Sequence, residues 1–212
     1  SKPFEVKQVN DFITFKKESV ASGSTGKHGD FEVRVPVKET GLLILIFDKV
    51  ERTLFVQPGK SYYLDIKGPF EELKKAHGAF TKDVRPAQVV NKHQQELNYL
   101  IDTLDYVCSK FLQDNPGARR EKKGVDQFVA KLDSGFAFVK SNYFKEYLRY
   151  KQAELYMFVY KNKRSEYSAK YFNQEKSLGS HVQKMQVFSS FFKGNMRHSI
   201  LINDNSPFHL AF

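Results

Sequence analysis

At 212 residues, with 41% hydrophobic content that includes 20 Phe and 11 Tyr, the chain has the material for one large domain or two small ones with a real core. Its net charge is +10, and residues 81–212 hold 21 Lys/Arg against 13 Asp/Glu, so most of the excess lies in the second part, where it favours anionic partners or keeps a helical surface solvated. The longest apolar runs, Leu42–Phe47 and Leu155–Tyr160, are far shorter than the roughly 20 residues that cross a bilayer. The single cysteine, Cys108, excludes an intrachain disulfide, a CxxC redox pair and a Cys-rich zinc site.

The first 70 residues alternate apolar and polar positions between turn signals, which predicts strands. Phe4 and Val6 mark one strand, Ile13 and Phe15 a second. Residues 21–30, small, polar and carrying Gly23, Gly26 and Gly29, read as a loop. Phe31, Val33, Val35 and Val37 then alternate with Glu32, Arg34 and Pro36, the pattern of a strand with one buried face, and Pro36 places it at an edge or an end. Leu42–Phe47 is apolar on both faces and predicts the most central strand. Thr53–Gln57 and Tyr62–Ile66 follow, joined by Pro58-Gly59-Lys60, a turn in which Pro presets φ and Gly accepts a positive φ. The expectation is an antiparallel sandwich or meander of five or six short strands.

Composition changes after Gly68-Pro69, and residues 71–90 read as a linker. Beyond it the period becomes helical. Leu97, Leu100, Ile101, Leu104, Val107, Cys108, Phe111 and Leu112 form one stripe that Asn115-Pro116-Gly117 ends. A second stripe runs from Val125 to Val139. A third helix over 142–161 carries apolar residues on nearly all faces towards its end, which predicts a central position. Tyr167, Tyr171 and Phe172 mark a fourth helix, and Val182, Met185, Val187, Phe188, Phe191 and Phe192 a fifth. The fold class expected is therefore α+β: a β-module over residues 1–70, a linker over 71–90 and a helical region of about five helices over 91–212. The chain opens on Ser1-Lys2-Pro3 without an initiator Met and ends on Phe208-His209-Leu210-Ala211-Phe212. The expectation is a processed chain that once continued past its apolar end.

No residue pattern specifies catalysis. His28, His77, His93, His181, His198 and His209 never recur at the i, i+3 or i+4 spacing that sets metal ligands on one helical face, and they read as surface residues. Cys108 lies on the apolar stripe of its helix, the place of a buried structural thiol rather than a reactive one. Gly23, Gly26 and Gly29 have neither the Walker nor the dinucleotide spacing, and there is no GxSxG elbow. Asp102 and Asp105 read as solvated acids. The mixtures Tyr147-Leu148-Arg149-Tyr150-Lys151 and Tyr160-Lys161-Asn162-Lys163-Arg164 read as packed aromatics with a wet basic side, so nucleic acid is not favoured as a partner. No catalytic residue, cofactor site or metal site is assigned, and the reading leans away from an enzyme.

The order of these parts resembles the N-terminal region of a group of bacterial envelope proteins in which a β-module of unknown function and a helical segment precede a thioredoxin-like domain. Gly29-Asp30-Phe31-Glu32-Val33 is similar to the group's GxF strand start, and Val56-Gln57-Pro58-Gly59-Lys60-Ser61-Tyr62-Tyr63-Leu64 to its xxPGxxYxL hairpin. Glu96-Leu97-Asn98-Tyr99-Leu100-Ile101 resembles the start of its first helix, and Asn142-Tyr143-Phe144-Lys145-Glu146-Tyr147-Leu148-Arg149-Tyr150 its YFxxYxxY helix. The resemblance implies a periplasmic or outer-envelope location with a signal peptide removed. It implies a module that positions a protein partner or a downstream thioredoxin-like domain, and it carries over no catalytic residue. Two other readings stand beside it: a fragment or accessory subunit of a thiol-disulfide oxidoreductase, and a binder of anionic polymers or membrane surfaces through the basic helical half.

Overall fold

The computed structural model describes residues 1–11, 16–48, 50–66, 83–117, 124–173 and 181–191. Strands β1 (Pro3–Asp11), β2 (Lys16–Ser24), β3 (Gly41–Phe47), β4 (Val50–Val56) and β6 (Asp83–Pro86) form a five-stranded sheet in the order β2-β1-β3-β4-β6. Strands β5 (Leu64–Asp65) and β7 (Gln88–Val89) make a second, two-stranded sheet. The helices are α1 (Leu97–Asp114), α2 (Val125–Gly135), α3 (Asn142–Val159), α4 (Arg164–Phe172) and α5 (182–191), with a 3₁₀ turn at Lys161–Lys163 before α4. The class is α+β, strands first and helices after.

Strand β3 is central, as its two-sided apolar sequence predicts, and its pleat sends alternate residues to two different cores. Leu43, Leu45 and Phe47 join Phe4, Val6, Val50, Leu54 and Val56 on one face. Leu42 and Ile44 join Val9 on the other, where Val182 and Met185 of α5 cover them. Asp48, at φ 56°, turns β3 into β4 in the left-handed region that Asp tolerates.

Several expectations about the β-module are corrected. The sheet is mixed rather than purely antiparallel, because β6 runs parallel to β4 from Val50↔Asp83 to Thr53↔Pro86. It is not a meander, since β1 lies between β2 and β3. Residues 21–24, read as loop, continue β2, and Phe4 pairs with Gly23. The 31–37 segment is in no ladder. Its alternation is nonetheless real: Phe31, Val33, Val35 and Val37 pack on the sheet's first face while the residues between them are exposed. It lies across the face by its side chains rather than along an edge by its backbone. The Pro58-Gly59 turn forms, with Gly59 at φ 69° and Lys60 N–H donating to Gln57 C=O at 3.3 Å. It does not close a hairpin on β4, because β5 pairs with β7 instead. Residues 83–89, read as linker, supply β6 and β7. The expected strand at Ile13 and Phe15 lies outside the described residues.

The helical half follows its stripes. Leu97, Leu100, Ile101, Leu104 and Cys108 of α1 pack with Leu132 of α2 and with Phe144, Tyr147, Leu148 and Leu155 of α3. The far end of α3 buries Tyr150, Ala153, Tyr156, Met157 and Val159 in a second cluster with Val125, Val129 and Tyr171. Sharing two cores explains its apolar spread. Phe111 of α1 and Phe128 of α2 stack at 4.1 Å.

Candidate functional site

The most site-like place is the seam where the sheet meets the helices, and Asn98 builds it. Strand β6 pairs with β4 only as far as Thr53, after which Ala87 N–H closes the ladder on Thr53 C=O at 2.8 Å. The outward backbone groups of Phe55 would then have no strand partner. The Asn98 side chain takes that place: its Oδ1 accepts from Phe55 N–H at 2.8 Å, and its Nδ2 donates to Phe55 C=O at 2.9 Å. Asn98 is held in turn by Glu96, the N-cap of α1. The Glu96 carboxylate accepts from the backbone N–H groups of Asn98 (3.0 Å) and Tyr99 (2.7 Å) and from Asn98 Nδ2 (2.8 Å). A buried carboxylate is tolerated there because it satisfies orphan donors at the positive end of the helix. The Phe55 ring meets Tyr147 of α3 edge-on at 6.0 Å and Tyr143 at 6.1 Å.

Beside this joint lies a cleft of about 430 Å³. Gln57, Lys60, Ser61 and Tyr62 of the turn after β4 form one wall, and Lys140 and Ser141, leading into α3, form another. Asn91, His93, Gln95 and Glu96, leading into α1, lie between them. Two side-chain amides fix these walls. Asn91 accepts from Tyr63 N–H at 2.9 Å and donates to Ser61 C=O at 3.1 Å. Gln95 accepts from Lys140 N–H at 3.1 Å and donates to Phe138 C=O at 3.3 Å. Burial raises the Tyr62 phenol above its ordinary range, an effect that the Gln57 hydrogen bond opposes and the Glu96 charge adds to.

The residues weighed from sequence for chemistry do not converge. Cys108 is 2% exposed, and burial pushes its thiol up to about 12, opposed by Lys151 and aided by Asp105 and Glu154. Such a thiol is not a nucleophile at neutral pH. Asp105 accepts from Tyr147 O–H at 3.1 Å and pairs with Lys151 at 3.0 Å, and Lys151 also pairs with Glu154 at 3.0 Å. Gln183 of α5 donates to Glu154 at 2.9 Å. This chain of polar contacts joins α1, α3 and α5 and leaves no carboxylate placed as a base beside the thiol. His28 is exposed, His93 lines the cleft and His77, His198 and His209 lie outside the described residues. His181, expected at the surface, is buried, stacked on Tyr143 at 4.1 Å with Nε2 3.0 Å from the Tyr143 carbonyl oxygen. Among the described residues, no group of three or more His, Cys, Asp and Glu is placed to hold a metal ion, and no helix is long and apolar enough to cross a membrane. Gly23 lies in β2 against the Phe4 ring, so the three glycines form no phosphate cradle.

The cleft residues escaped the sequence reading because they come from three separate segments with no shared spacing. The one local signal is the pair Glu96 and Asn98 at the start of a strong apolar stripe, which marks a helix cap but not the strand it clamps. Compared with protein-family models, curated proteins and solved structures, the chain matches none.

Proposed function

We propose that this chain is a non-catalytic module of the bacterial cell envelope that positions a protein partner or a downstream thioredoxin-like domain. The observation that carries the reading is the sealed thiol: the sole cysteine is buried in a helical core, with its pKa raised rather than lowered. A disulfide-exchange centre needs the reverse, a thiolate with solvent access. The joint between sheet and helices, made by Asn98, Phe55 and the α5 contacts, supports a positioning role, because a spacer that sets the attitude of a neighbour must itself be stiff. The envelope location rests on the sequence resemblance.

A disulfide-reductase and thiol-oxidase assay tests the reading, run on the full chain with Cys108→Ser and Cys108→Ala beside it. The expected result is the same background rate for all three. Turnover in the wild type that disappears in both variants would establish the rival accessory-oxidoreductase reading.

A further inference from the structure

In the seam cleft the amides of Asn91 and Gln95 are spent on the protein's own backbone, whereas Tyr62, Ser141 and His93 each accept a backbone N–H and keep a donor. The Tyr62 hydroxyl oxygen accepts from Gln57 N–H at 2.9 Å, which leaves its own hydrogen to donate. Ser141 Oγ accepts from Phe144 N–H at 3.3 Å as the N-cap of α3, and its hydroxyl hydrogen is likewise uncommitted. His93 Nδ1 accepts from Gln95 N–H at 3.2 Å, which puts the ring hydrogen on Nε2. Lys60 and Lys140 stand exposed on two different walls, and neither has an ion-pair partner among the described residues. The carboxylate and two of the amide oxygens in the lining are taken: both Glu96 oxygens by α1 and Asn98, the Gln95 oxygen by Lys140 N–H and the Asn91 oxygen by Tyr63 N–H.

Two exposed lysines and three hydroxyl or imidazole donors along one cleft are complementary to an oxyanion, which presents only acceptors. The single carboxylate in the wall, Glu96, is buried and hydrogen-bonded, so the two lysines leave the opening with an excess of positive charge. We propose that the seam cleft is an oxyanion-binding site, in which Lys60 and Lys140 hold a phosphate or carboxylate group of a small ligand while Tyr62, Ser141 and His93 donate hydrogen bonds to it. Its size falls within the roughly 300–1,000 Å³ of small-molecule sites. The site is additional to the positioning role and does not depend on it.

Amide-resolved NMR titration of the full chain tests the proposal, with inorganic phosphate in one arm and acetate in the other. Ionic strength is held constant with sodium chloride. The expected result is saturable shifts at Lys60, Ser61, His93 and Ser141, with affinity at least tenfold lower in the Lys60→Gln/Lys140→Gln double variant and unchanged in Lys92→Gln, outside the cleft. Both lysines are exposed, so the double variant is expected to keep the wild-type spectrum elsewhere. Tyr62→Phe, which keeps the ring and removes the donor, is expected to weaken binding several-fold. Saturation by phosphate alone assigns a phosphorylated ligand, and saturation by acetate assigns a carboxylate. Absence of saturable binding in both arms, or equal affinity in the wild type and the double variant, would overturn the site.

Discussion

Asn98 does the work of a missing strand, and its removal has two separable costs. An alanine there leaves Phe55 N–H and C=O without their partners at the seam, and it takes one donor from the Glu96 carboxylate. Each orphaned buried polar group costs about 1–3 kcal/mol, so Asn98→Ala is expected to lower stability by roughly 2–4 kcal/mol in urea unfolding. Asn98→Asp is expected to be at least as damaging, because it loses the donor to Phe55 C=O and sets a second carboxylate beside Glu96. Cys108 differs in kind: it contributes as a small apolar group. Cys108→Ser is therefore expected to cost about 1–3 kcal/mol through burial of a hydroxyl. The thiol should react with a disulfide reagent at pH 8 only after denaturation. Its raised pKa also sets a sign: below about pH 9 both states keep the proton, and as pH rises from 9 towards 12 the unfolded chain ionises first and stability falls. Burial of Cys108 was legible in the sequence because a stripe position decides it. The clamp of Asn98 was not, because an Asn near a helix start reads the same whether or not a strand end lies in front of it.

Among the elements, the ones that were legible are those whose burial pattern alone determines their form. Helices α1 and α3 and strand β3 follow directly from apolar periodicity, since tertiary contact falls along the same stripe that the sequence displays. In the 31–37 segment, alternation reports that every second side chain packs on the sheet, not that the backbone is paired. Strands β6 and β7 are four and two residues long, too short for a period to register, and only the open edge of β4 and the partner β5 give them a place. The docking of α5 rests partly on His181, at the start of that helix, where Met185 N–H donates to its carbonyl at 3.1 Å. Burial holds its imidazole below the ordinary pKa; the Tyr143 carbonyl and Glu146 oppose this and Lys184 adds to it. The surrounding rings are Tyr143, Tyr147 and Tyr150. A lowered histidine pKa means that the unfolded segment takes up the proton first, so this contribution is intact above about pH 6.5 and is lost as pH falls below it. Amide hydrogen exchange in α5 is expected to accelerate between pH 6.5 and 5, after correction for intrinsic rates, more than in α1. His181→Phe, which keeps the stack on Tyr143 without a titrating nitrogen, should remove that difference; an unchanged difference would show that His181 is not its source.

At the scale of the whole molecule, the two halves distinguished by composition close on each other from opposite ends of the chain. Val9, Leu42 and Ile44 of the sheet are buried against Val182 and Met185 of α5, and β4 is clamped by the first turn of α1. The second face of the sheet is thus completed by residues more than a hundred positions later in sequence. Neither half buries its apolar surface alone, so the described structure is expected to unfold as one cooperative unit rather than as a β-module and a helical domain in succession. Far-UV circular dichroism, which the helices dominate, and hydrogen exchange of β3 amides should then report the same free energy. Met185→Asp puts an unpaired charge on the sheet–helix interface and is expected to destabilise β3 and α3 together by about 3 kcal/mol or more. If β3 protection collapsed in that variant while α1 and α3 kept their full protection, the sheet and the helices would be separate folding units, and the seam cleft would be a junction between independent domains rather than a feature of one core.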